Sequence, residues 1–90
     1  MMKEDEVKKE MIRVEVRQRG DKSVVNVEAG DVKKTDVNLD DLGDLFKELR
    51  QGRPIVAIDH DDDVPHGVIV KVQSEAKKAG IDKIILIVPG

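Results

Sequence analysis

The chain has no cysteine, tryptophan or tyrosine, and Phe46 is its single aromatic residue. Without cysteine there are no disulfides, no thiolate nucleophiles and no cysteine-ligated zinc or iron–sulfur centres. One aromatic ring makes no stacking platform for single-stranded nucleic acid. An excess of basic charge is missing as well. Sixteen Lys and Arg stand against nineteen Asp and Glu, a net charge of −3, so there is no overall basic field to draw a polyanion. Nucleic acid is therefore not expected as a partner. Long hydrophobic runs are missing too. The longest, Ile84 to Val88, falls far short of the ~20 residues that cross a bilayer. The opening ten residues are mostly charged, where a signal peptide carries an apolar stretch of about 7–15. What remains is a chain of 90 residues, 39% hydrophobic and 39% charged. That is too apolar for a disordered segment and enough for one small domain.

Residues 1–10 read as a charged linker stub and residues 11–90 as the domain. From Met11 the pattern has period two: Ile12, Val14 and Val16 alternate with Arg13, Glu15 and Arg17, as in a half-buried strand. Gly20-Asp21 marks a turn, and 23–29 reads as a second strand with Val25 and Val27 inward, making an antiparallel hairpin. Val32 to Val37 is an irregular or briefly extended connector. Asn38 is placed to cap a helix whose stripe is Leu39, Leu42, Leu45, Phe46 and Leu49. Gly43 lies inside that helix at a cost of ~1 kcal/mol relative to Ala. Gly52 and Pro54 end it, and Ile55-Val56-Ala57-Ile58 forms a short apolar strand.

The second helix starts near Pro65, with Val68, Ile69, Val72, Ala76 and Ala79 as its stripe. Gly80 ends it, Ile81 folds back on Ala76, and 84–88 is the last strand. The order ββαβαβ predicts an α+β two-layer sandwich, with two helices on one face of a small mixed sheet. Two helices cover one face only, yet 55–58 and 84–88 are apolar at odd and even positions alike. Such strands are usually buried on both sides, so a homodimer is expected, with Ile85 and Ile87 as interface candidates.

The polar chemistry concentrates in Asp59-His60-Asp61-Asp62-Asp63-Val64-Pro65-His66. Asp59, Asp61, Asp63 and His66 could hold a divalent cation, which would make the chain a small cytoplasmic ligand- or cation-binding domain. The spacing matches no established metal loop, and acidic residues also suit the amino end of a helix. His60 or His66 beside an aspartate could serve as a general base. However, no nucleophile or oxyanion site accompanies them, so neither catalysis nor a cofactor is expected. Lys71, Lys77, Lys78 and Lys83 read as a solvated face.

The acidic turn also carries a resemblance. Val56 to Val72, followed by Ala76-Lys77-Lys78-Ala79-Gly80-Ile81, resembles the ExbD/TolR family of biopolymer-transport proteins. That family shows an apolar strand, an Asp, a short acidic gap, Val-Pro-Tyr-Gly, and an amphipathic helix ending in Ala-Gly. Asp61, Val64, Pro65, Gly67, Val68, Ala79 and Gly80 stand at the matching places, and His66 replaces the usual Tyr. Asn38-Leu39-Asp40-Asp41-Leu42 resembles the family's lead into its first helix. The resemblance implies a periplasmic domain at the inner membrane of an energy-transducing complex, with the membrane helix outside these 90 residues. It implies ExbB- or TolQ-like and TonB- or TolA-like partners, a homodimer, and contact with peptidoglycan. Asp61, Val64, Pro65, His66 and Gly67 become candidate partner-binding residues on the same basis.

Overall fold

Alternation along the first segment places Ile12, Val14 and Val16 on one side and Arg13, Glu15 and Arg17 on the other, and the computed structural model, which describes residues 11–87, builds its central strand from it. The elements in order are β1 (Met11–Arg19), β2 (Lys22–Ala29), β3 (Val32–Lys34), a single 3-10 turn (Leu39–Asp41), α1 (Leu42–Leu49), β4 (Ile55–His60), α2 (His66–Lys78) and β5 (Lys83–Ile87). The expected linker at 1–10 and the end of the last strand at Val88 lie outside the described residues.

The strands form one mixed sheet in the order β3-β2-β1-β4-β5. β1 pairs antiparallel with β2 (Val14 opposite Val27) and parallel with β4 (Val14 opposite Ile58). β4 in turn pairs parallel with β5. Inward residues of β1, β2 and β4 share one core with Leu42, Phe46 and Leu49 of α1 and with Ile69, Val72 and Ala76 of α2. This is the expected α+β two-layer sandwich.

Three local differences from the sequence reading have physical causes. The connector at 32–37 contains a fifth strand: β3 pairs with β2, and Val37 N–H donates to Val25 O at 2.7 Å, so the second edge of the hairpin is closed. Asn38 does cap, but it caps the 3-10 turn, its Oδ1 accepting from Asp40 N–H at 3.1 Å; the α-helix proper begins at Leu42. Pro65 sits just outside α2 with extended backbone angles, and His66 is the first helical residue. The other end of α2 follows expectation. Gly80 at φ +88 lets its own N–H reach Lys77 O and lets Ile81 N–H reach Ala76 O, both at 3.0 Å, and Ile81 is buried.

α2 also buries Glu75, which the apolar spacing does not signal. It is 8% exposed, and its Oε1 receives Lys71 Nζ at 3.2 Å and Lys78 Nζ at 3.5 Å. The hydrogen bond from Lys71 leads in holding this carboxyl below its usual value; burial opposes it, and the charges of both lysines assist. The carboxylate rests on α1. A Cβ added at Gly43 would lie 2.7 Å from Glu75 Oε2, which explains why a glycine sits inside a short helix. Gly43→Ala, worth up to about 1 kcal/mol in an unobstructed helix, should therefore bring no gain in the wild-type chain. In a Glu75→Ala background the same change should stabilise, and a four-variant cycle of urea midpoints measures the difference.

Candidate functional site

The acidic turn follows β4, whose parallel partner β1 brings two arginines alongside it. Asp59 and Asp61 both engage Arg17, at 3.3 Å (Nη2 to Oδ2) and 3.2 Å (Nη1 to Oδ1). Arg13 Nη2 reaches Asp59 Oδ2 at 3.4 Å, and Glu15 stands between the two arginines at 3.6 and 3.7 Å. Desolvation works against the charge on Arg17, but Asp59 first, then Asp61 and Glu15, outweigh it and raise its pKa. Asp61 is also a backbone splice. Its N–H donates to Val16 O at 3.0 Å, and its Oδ2 accepts Gln18 N–H at 3.0 Å, so the β1–β4 pairing continues past the last strand residue.

These contacts decide what the turn can do. Asp59 and Asp61 already neutralise guanidinium groups, and Asp62, Asp63 and His66 are exposed. Among the described residues, no group of three or more His, Asp or Glu is placed to hold a metal ion. The cation site that Asp59, Asp61, Asp63 and His66 offered as an alternative is not assembled. His60 donates its Nδ1–H to Asp61 O at 3.0 Å, a backbone contact and not the carboxylate pairing that a general base would use. Of the five candidate partner residues, Pro65, His66 and Gly67 are exposed. Val64 is 7% exposed and belongs to the core, and Asp61 is occupied as described.

The open face of the sheet is polar on the hairpin and apolar on the last two strands, as the alternation in the first and the continuous apolar runs in the second suggest. Across β1 and β2 it carries Arg13, Glu15, Arg17, Asn26 and Glu28, brought into rows by the register. Ala57 is only 1% exposed, set between Arg13 of β1 and Ile85 of β5. Uncovered apolar surface gathers on β5 instead. Ile85, Leu86 and Ile87 are 41%, 44% and 37% exposed, three in succession on a strand hydrogen-bonded along one side only among the described residues. Ile85 and Ile87 lie on the open face, and Leu86, opposite Ile58, lies on the helix face. The opposite edge differs in kind: β3 is three residues long and carries Lys33 and Lys34, the usual guards of a strand edge. β5 has a single lysine, Lys83, at its first position, and none beside Ile85, Leu86 and Ile87.

Fold and site together define a small α+β domain with an ion-paired sheet face and one edge that is exposed and largely apolar among the described residues. The profile of the biopolymer transport protein ExbD/TolR family matches residues 2–89, nearly the whole chain. The chain belongs to the ExbD/TolR family, and its function lies in biopolymer transport as an accessory subunit. The family consists of proteins not known as enzymes, drawn from membrane-anchored transport complexes. A comparison with curated proteins finds no match. No helix among the described residues is long and apolar enough to cross a membrane.

Proposed function

We propose that this chain is the periplasmic domain of an ExbD/TolR-like accessory subunit of a proton-motive-force-driven complex of the bacterial inner membrane, working by self-association and partner binding. Family membership supplies the transport setting. The exposed apolar run on β5 is the observation that supports the mode of action. A row of backbone groups left unpaired among the described residues and flanked by Ile85, Leu86 and Ile87 is a template for an added strand. A second copy is the first occupant we assign: β5 against β5 about a two-fold axis uses one surface twice and joins the two sheets into one. Such a homodimer would place Ile85 and Ile87 of both chains on one continuous face.

An extended segment of a TonB- or TolA-like protein can use the same edge by strand addition. ExbB- or TolQ-like subunits are the membrane partners, and Pro65, His66 and Gly67 together with peptidoglycan make up the remaining assigned contacts. Sedimentation velocity at tens of micromolar tests the core of the proposal. The wild-type chain should sediment as a dimer, and the double variant Ile85→Lys/Ile87→Lys as a monomer that still melts cooperatively, at a temperature that no longer rises with protein concentration, since both side chains are exposed in the single chain. A wild-type monomer would overturn the self-association, as would a dimer indifferent to the two lysines.

A further inference from the structure

Away from β5's free edge, at the end of the domain where β1, β4 and β5 all begin, there is a concavity of about 420 Å³ bordered by Arg50, Arg53, Lys83 and Asp82. The basic residues there form no ion pair, which is also true of Arg19, Lys22, Lys33, Lys34, Lys47 and Lys77 among the described residues, whereas four others do. Arg13 and Arg17 pair with Glu15, Asp59 and Asp61, and Lys71 and Lys78 pair with Glu75. Among the described residues no such pair is formed by Arg50, Arg53 or Lys83, in a chain that is net negative. The carboxyl ends of α1 and α2 also point here, each worth roughly half a negative charge, and with Asp82 they fall short of offsetting three cations.

The Arg53 guanidinium is held in place, while the exposed Arg50 lies beside Gly80. A Cβ at Gly80 would lie 2.7 Å from Arg50 Nη1, and one at Gly30 would lie 2.9 Å from Arg53 Nη2, so each head group rests on bare glycine backbone. Both glycines have positive φ, +88 and +59, which side chains rarely adopt. Arg53 further donates Nη1–H to Leu49 O at 3.1 Å, while its Nε is buried without a partner. A fixed guanidinium such as that of Arg53 loses little freedom on binding, and both arginines present forked donors suited to an oxyanion.

We propose that this pocket is a binding site for a phosphate group, with Arg50 and Lys83 as the exposed donors and Arg53 as the fixed wall. Two sources carry that chemistry, free phosphate and an anionic lipid headgroup, and two arms of one experiment separate them. In the first arm, inorganic phosphate is titrated at constant ionic strength while the melting temperature of the 90-residue chain is followed; in the second, the chain is co-sedimented with vesicles of phosphatidylcholine containing phosphatidylglycerol, and with phosphatidylcholine alone. The comparison variant is Arg50→Gln/Lys83→Gln, which leaves the Arg53–Leu49 bond intact. A saturable rise in melting temperature for the wild type, absent in the variant, supports the site with free phosphate as ligand. Retention on phosphatidylglycerol vesicles, displaced by phosphate and weakened about tenfold or more in the variant, supports it with the headgroup as ligand. Equal behaviour of wild type and variant in both arms, or no binding in either, overturns the proposal.

Discussion

Val72→Asp should unfold the domain. Val72 is fully buried where α2 meets the sheet core, and no basic residue belongs to that core. The substitution loses about 1.5–3 kcal/mol of apolar burial and adds several more for a carboxylate without a partner. A chain of this size has only ~5–13 kcal/mol in total. Circular dichroism should show the cooperative melt lost or lowered by tens of degrees. Val70→Asp, on the same helix but 46% exposed, should stay within about 0.5 kcal/mol of wild type. Equal damage from both variants would mean that helix sensitivity, not the buried stripe, is being measured.

Asp61→Ala is expected to have the second largest effect, about 2 kcal/mol. The variant leaves Gln18 N–H without its acceptor and Arg17 without one of its two aspartates. Hydrogen bonds to charged groups contribute ~1.5–3 kcal/mol, and the partial exposure of this turn favours the lower part of that range. Asp61→Asn keeps an oxygen for Gln18 N–H and should recover part of the loss. Asp62→Ala, at an exposed position, should cost nothing measurable. Urea denaturation of the four chains orders them. If Asp61→Ala matches wild type, the splice between β1 and the turn contributes no stability, and Asp61 is left with only the partner role that the family resemblance implies.

Much of the architecture is legible in the sequence because its signals are local. Alternation at Ile12, Val14 and Val16 requires only a strand's two-residue period, and the stripe from Ile69 to Ala79 requires only a helical turn. The Gly80–Ile81 cap is similarly contained within six residues. β3 is harder to see, because three residues with no buried side chain show no alternation. Glu75 escapes an apolar count by being charged, and its burial depends on a glycine of another helix. The site is hardest to read because its parts meet through non-local pairing. Only the parallel alignment of β1 with β4 sets Arg17 beside Asp59 and Asp61, turning an apparent cation cluster into a set of ion pairs. Arg50 and Lys83 likewise come together only once helix ends and strand starts share one pole of the domain. What the residues of the acidic turn do announce, through Val64-Pro65-His66-Gly67 and the Ala79-Gly80 ending, is membership of the family.

The contrast between the two margins of the sheet bears on how far assembly can go. Were two chains joined along β5, each flank of the combined sheet would finish in the short, lysine-bearing β3, where neither length nor charge invites another strand. Growth would halt at a pair. A protein working at high local density beside its neighbours would then have a built-in stop against fibre formation, located on the far side of the molecule from the surface that makes the pair.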